Sequence, residues 1–162
     1  MLERIVSGGQ TGADRAALDA ALEVGLEIGG WVPRGRRAED GVVPGRYAGL
    51  VETEDDAYEA RTELNVRDSD ATAIFCFGEP AGGAAFTVDC ARRIGKPLLI
   101  LDLRHCSGDE AAERMRAWLD ATGPRVLNIA GPRASEDPRI ASAVAGILIP
   151  VLEQHVKGAT GA

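Results

Sequence analysis

Twice in this sequence a short apolar run breaks into a glycine-rich turn and resumes as an amphipathic helical pattern. The first unit joins Arg4-Ile5-Val6-Ser7 to the turn Ser7-Gly8-Gly9-Gln10-Thr11-Gly12-Ala13-Asp14 and a helix over residues 14–26. The second joins an apolar run over residues 71–77 to Gly78-Glu79-Pro80-Ala81-Gly82-Gly83 and a helix through Phe86, Thr87 and Asp89 to about Gly95. Parallel strands need a long crossover, usually helical, so a repeated strand–turn–helix unit predicts a parallel arrangement. The expected fold class is α/β, a Rossmann-like three-layer sandwich with a mostly parallel central sheet. In such a sheet the turns leaving the strands lie at the carboxyl edge, where ligands bind.

The remaining chain fits that plan. A second strand is expected over residues 28–33, followed by a long loop over residues 34–51 that gathers Arg34, Arg36, Arg37 and Arg46 into a local anion field. Thr53 followed by Glu54, Asp55 and Asp56 reads as an N-cap and acidic first turn, predicting a helix over residues 54–67. On it Ala57, Ala60 and Leu64 form the expected core stripe, while Tyr58, Arg61, Thr62 and Asn65 form a polar stripe able to line a pocket. A buried strand follows Lys96-Pro97 to Leu101, then a helix over residues 109–121. The strand over residues 125–130 exits into Gly131-Pro132-Arg133, and a last helix begins near Asp137 and is kinked at Pro150. The expectation is one ligand-binding domain over residues 1–157, with a flexible tail at 158–162.

Net charge is −7, which argues against nucleic-acid partners, because nonspecific binding there needs a basic field. The apolar runs are too short to span a bilayer and the first residues carry no signal-peptide pattern, so a cytoplasmic protein without a membrane partner is expected. Cys76, Cys90 and Cys106 form no Cys-x-x-Cys pair, and His105 and His155 are scattered. No protein-ligated metal is expected. The first glycine turn lacks the Gly-Lys-Ser/Thr of NTP-hydrolysing loops, and it gives only half of the dinucleotide fingerprint. No Gly-x-Ser-x-Gly elbow is present.

Glycines remove Cβ atoms and let several N–H groups face one anion, and a helix N-terminus adds its positive end. Gly8, Gly9 and Gly12, with Gly82 and Gly83, are therefore the candidate phosphate-receiving positions. Gln10, Thr11 and Asp14 add hydrogen-bonding groups; Thr62, Thr87 and Asn65 are placed to orient the ligand, and Arg61 or Arg133 to supply charge-assisted bonds.

With these residues in hand, the chain resembles the molybdenum carrier family, relatives of the molybdenum cofactor carrier proteins. The resemblance is carried by residues 7–15, by Gly30-Trp31-Val32-Pro33 and Glu39-Asp40-Gly41, and by Thr53, Tyr58, Arg61-Thr62 and Asn65-Val66. It continues through Asp68-Ser69-Asp70 and residues 127–133. It implies a Rossmann-like fold and a homo-oligomer, dimer or tetramer. It also implies a small anionic pterin- or nucleotide-like ligand, the molybdenum cofactor (molybdopterin) or a nucleotide, held at the glycine loops and passed on unchanged. Such a cofactor brings its own dithiolene sulfurs for the metal. Arg61-Thr62-Glu63-Leu64-Asn65, followed by a strand and Gly82-Gly83, is also similar to nucleoside-monophosphate phosphoribohydrolases. That likeness implies Arg61 and Asp89 as catalytic residues cleaving an N-glycosidic bond. A nucleotide-sensing regulatory module using the same pocket is a third reading.

Overall fold

The strand expected after Asp70 is the best-buried element of the molecule. In the computed structural model, which describes residues 1–157, β6 (Ala71–Cys76) is buried along its whole length. The tail expected to be flexible lies outside the described residues. Strand β6 sits inside a six-stranded sheet built with β1 (Arg4–Val6), β2 (Glu27–Val32), β5 (Leu50–Glu52), β7 (Leu98–Asp102) and β8 (Val126–Ala130). The order is β5-β2-β1-β8-β6-β7 and every pairing is parallel. Five helices complete the layers: α1 (Ala13–Glu23), α2 (Tyr58–Arg67), α3 (Gly82–Ile94), α4 (Gly108–Thr122) and α5 (Ile140–Lys157). The Rossmann-like α/β fold expected from the repeated unit is the fold observed.

Strand periodicity assigns the two faces. Ala71, Ala73 and Phe75 of β6 share a core with α1, α4 and α5, while Ile74 points the other way into a cluster with Ala84 and Val88 of α3. Alanines at 13, 16, 17, 20 and 21 let α1 lie close against the sheet and α5. Helix α4 begins at a capping box: Ser107 Oγ accepts from the Glu110 N–H, and the Glu110 carboxylate accepts from the Ser107 N–H. Helix α5 runs through Pro150 to Lys157.

Four expectations change. Helix α2 starts at Tyr58, because the Thr53 hydroxyl donates to the Asp55 carbonyl and the Asp55 carboxylate accepts from the Ala57 N–H, fixing a bend where a first turn was expected. Its inward face is Thr62, Asn65 and Val66, not the alanine stripe. Strand β7 is an edge, so Leu98, Leu99 and Ile100 are only half-buried. The loop over residues 34–51 carries a 3-10 turn (Arg34–Arg36) and a two-residue hairpin, β3 (Arg37–Ala38) with β4 (Gly41–Val42). It is anchored by Tyr47, which is fully buried beside Leu18, Val32, Ala38 and Val43.

The chain runs outward from β1 through β2 to β5, then jumps to β6 and β7 before β8 returns to the centre. The direction of strand order thus reverses beside β8, and the exits of β1, β8 and β6 meet there. The two glycine loops do not come from neighbouring strands, because β8 and its Gly131-Pro132-Arg133 exit stand between them.

Candidate functional site

The first glycine turn folds around the protein's own atoms. The Gln10 N–H donates to Asp14 Oδ2 at 3.2 Å, and the Gly8 N–H also acts on that carboxylate. The Gly9 N–H meets Ser7 Oγ at 3.3 Å, and the Thr11 N–H meets Gln10 Oε1 at 3.0 Å. The turn therefore is a nest of N–H groups, but the group it holds is the Asp14 carboxyl. Its glycines serve close packing. A Cβ on Gly8 would fall 2.4 Å from Arg61 Cζ, and one on Gly12, where φ is 80°, would fall 2.5 Å from the Pro132 carbonyl oxygen.

Arg15 and Glu39 tie this turn to its surroundings. Arg15 donates to the Gly9 carbonyl at 3.0 Å and grips Asp40 with both terminal nitrogens, at 2.6 and 2.8 Å. The Glu39 carboxylate accepts from the Thr11 and Ser135 hydroxyls and the Ser135 N–H, which holds it below its usual range. Thr11 Oγ1 in turn accepts from the Ala134 N–H at 3.1 Å. The hairpin, the glycine turn and the β8 exit are thereby locked together.

A small polar cleft remains between the exits of β1, β8 and β6. It is lined by Gln10, Asp14, Arg61, Gly83, Ala84, Thr87, Ala130, Gly131, Arg133 and Glu136 and encloses about 30 Å³. That is the share of about one water in the liquid. Two residues of its lining each carry a buried donor with no protein acceptor. Gln10 spends its Oε1 on the Thr11 and Glu39 N–H groups, both at 3.0 Å, leaving Nε2 unpaired. Arg61 gives Nη1 to the Thr62 hydroxyl at 2.7 Å and leaves Nε unpaired. Among the described residues the N–H groups of Gly82 and Gly83, at the start of α3, also lack a protein acceptor. Burial pushes the Arg61 guanidinium below its ordinary value, opposed by Asp14; burial pushes the Asp14 carboxyl up, opposed by Arg61 and the turn's N–H groups.

Acidic groups guard the mouth. Arg133 Nε lies 3.5 Å from Glu136 and 4.0 Å from Glu39, and Glu136 Oε1 lies 3.4 Å from where a Cβ of Gly82 would stand. The cleft as it stands is smaller than a phosphate group, and Glu136 and Arg133, both on the β8 exit loop, form its outer side. A wider groove of about 650 Å³ runs between α4 and α5, bordered by Leu103, Ala112, Glu113, Arg116, Ile147 and Pro150. One unpaired donor, Arg116 Nε, belongs to it.

Of the residues expected to bind ligand, Gln10, Asp14, Arg61, Gly83, Thr87 and Arg133 converge on the cleft. Gly8, Gly9, Thr11 and Gly12 stand behind it as scaffold, Gly82 opens α3, and Thr62 holds Arg61. Asn65 is spent on the backbone of β2: its Oδ1 accepts from the Trp31 N–H at 2.7 Å, and its Nδ2 donates to the Trp31 carbonyl at 3.0 Å. Asp89 is on the exposed face of α3, two residues beyond Thr87, and does not line the cleft. The expected arginine field is divided. Arg36 donates to the carbonyls of Val43, Pro44 and Tyr47, and Arg46 pairs with Asp19, while Arg37 reaches Tyr58. Glu136 was not singled out beforehand. Its signal is its place three residues after Arg133, whose N–H its carboxylate accepts.

A doubly wound parallel sheet with unpaired donors converging at its switch point belongs to the class of Rossmann-like ligand-binding proteins. Comparison with known proteins places the chain within it. The sequence model of the circularly permutated YpsA SLOG family matches residues 5–152, and the chain belongs to that family. It is 47% identical to a protein whose crystal structure is described as "Putative molybdenum carrier protein" from Syntrophus aciditrophicus SB. That match covers 93% of this chain and 94% of the other, with a TM-score of 0.89. No curated protein matches significantly. Among the described residues no helix is long and apolar enough to cross a membrane, and no cluster of His, Cys, Asp and Glu is arranged to hold a metal.

Proposed function

We propose that this protein binds and carries a small phosphorylated ligand, pterin- or nucleotide-like, with the molybdenum cofactor as the first candidate, and releases it unchanged. The observation that carries the reading is that two residues lining one cleft, Gln10 and Arg61, each carry a buried donor without an acceptor, Nε2 and Nε. Leaving such groups unpaired costs about 1–3 kcal/mol each, a penalty that an arriving anion removes. The likeness to a protein described as a molybdenum carrier supports the choice of ligand. Arg61 and Arg133 supply charge-assisted bonds, and the start of α3 adds its dipole. Thr87 Oγ1 donates to the Gly83 carbonyl at 2.8 Å and so offers its lone pairs to a donor on the ligand. The family resemblance further supports a homo-oligomer.

Hydrolysis is not what the geometry favours, because Asp89 stands apart from Arg61. Native mass spectrometry of the purified protein tests the reading: the expected result is a co-purified phosphorylated ligand that is lost in Arg61→Ala. Protein from a molybdenum-replete host that carries nothing, and binds neither molybdopterin nor inorganic phosphate in titration, would overturn it.

A further inference from the structure

The cleft accounts for Arg61 and Arg133 but not for the cation beside them. Three guanidinium groups surround the Tyr58 ring: Arg37 Cζ at 4.7 Å from its centroid, Arg133 at 5.4 Å and Arg61 at 5.7 Å. They come from the β3–β4 hairpin, the β8 exit and α2, so three separate parts of the chain bring like charge to one place. This happens in a protein whose net charge is −7. Each cation gains about 0.5–1 kcal/mol from an exposed aromatic face, and the ring does nothing to relieve their mutual repulsion.

Carboxylates offset this cluster unevenly. Arg133 has Glu136 and Glu39. Arg37 donates to the main-chain carbonyl of Asp56 at 3.3 Å, and among the described residues no carboxylate lies within 4 Å of Arg37 or Arg61. Arg37 is exposed, so its charge is available to a ligand. By the path through the ring centroid, its Cζ lies no more than about 10 Å from that of Arg61 or Arg133. Two cations within that limit are near enough to be met by one small molecule with charged groups at two positions.

We propose that Arg37, held over Tyr58, forms a second anion subsite beside the cleft, and that the ligand carries two separated anionic groups. The class includes nucleoside di- and bisphosphates, and phosphorylated pterins with an oxyanion at the other end. The subsite rests on the reading that the cleft itself takes an anion. One group enters between Gln10, Arg61 and the start of α3, and the other lies against Arg37 at the outer side of the Tyr58 ring.

Calorimetric titration with inorganic phosphate and with tripolyphosphate tests this without assuming the organic part of the ligand. Wild type is expected to bind tripolyphosphate at least tenfold more tightly than phosphate. Arg37→Ala should lower the tripolyphosphate affinity at least tenfold more than the phosphate affinity, and Arg37→Lys should restore most of the difference. Arg34→Ala, which removes an exposed arginine of the same loop, should leave both affinities in place. Equal losses for both probes in Arg37→Ala, no loss at all, or an equal tripolyphosphate loss in Arg34→Ala would overturn the second subsite while leaving the cleft standing. Absence of phosphate binding by wild type would overturn the cleft reading and the subsite with it.

Discussion

Gly8→Ala probes the packing of the cleft more directly than any truncation of its lining. The new Cβ would stand 2.4 Å from Arg61 Cζ, 2.5 Å from Nη1 and 2.6 Å from Nε. Carbon contacts are comfortable from about 3.5 Å, so the guanidinium has to withdraw by about 1 Å. Gly8 does not have a positive φ, and its backbone therefore accepts alanine. Withdrawal breaks the 2.7 Å bond to the Thr62 hydroxyl and removes the cation that opposes the desolvation of Asp14. Loss of a hydrogen bond from a charged donor costs about 1.5–3 kcal/mol, while Gly-to-Ala at a compatible site returns about 0.4–1 kcal/mol. The expected net loss is about 1–2 kcal/mol, or a fall of about 2–8 °C in Tm for a chain of this size. Phosphate affinity should fall with it, since the displaced guanidinium is the main charge in the cleft. Thermal unfolding and calorimetric titration measure both. In an Arg61→Ala background the clash with the guanidinium is gone, so Gly8→Ala should there no longer destabilise and should return about 0.4–1 kcal/mol. Additive effects of the two substitutions, or undiminished phosphate affinity in Gly8→Ala, would refute the claim that Arg61 rests on Gly8.

Asp14→Asn should change the pH dependence of stability. A carboxyl whose folded value is raised contributes stability that is complete below its unfolded value of about 4 and is lost as pH rises through the folded value. Urea denaturation from pH 4 to 8 should therefore show wild type losing ground against Asp14→Asn as pH increases, and a parallel course would contradict the raised titration. Asn65→Ala strips partners from both the N–H and the carbonyl of Trp31; a loss of about 2–4 kcal/mol in denaturant is expected, and unchanged stability would rule out its bracing of β2. Glu136→Gln removes a carboxylate from the start of α3, and calorimetry should show a gain of about two- to fivefold in phosphate affinity. Weaker binding would mean that Glu136 assists the ligand.

The sheet was legible because its signals are local: apolar runs, glycine turns and helical spacing repeat in a fixed order. What was not legible came from long-range competition for hydrogen bonds. Nothing in residues 7–14 tells that the nest closes on Asp14, four residues ahead of Gln10, instead of on a ligand. Asn65 was recognisable as part of a polar stripe, but whether its amide serves a ligand or Trp31 depends on a strand 34 residues away. The start of α2 was misplaced because the same acidic residues that complement a helix dipole also make the tight side-chain turn that delays the helix. Arg37 was readable only as one of four loop arginines, and which of them stands over Tyr58 is decided when the β3–β4 hairpin is brought to the edge of the sheet.

The Gln10 amide cannot turn over. Two N–H groups, from Thr11 and Glu39, hold its oxygen, and a flipped amide would point hydrogens at both. The slot therefore has a hard-wired polarity: it presents hydrogens to whatever enters and has no spare lone pair to offer from that side. A group that brings an acceptor finds a donor at Gln10, while an ammonium finds none on that side. Gln10→Glu would keep both anchoring bonds and the shape of the turn yet reverse the sign of the filter. A single atom exchange, nitrogen for oxygen, thus replaces the donor that Gln10 carries with an acceptor.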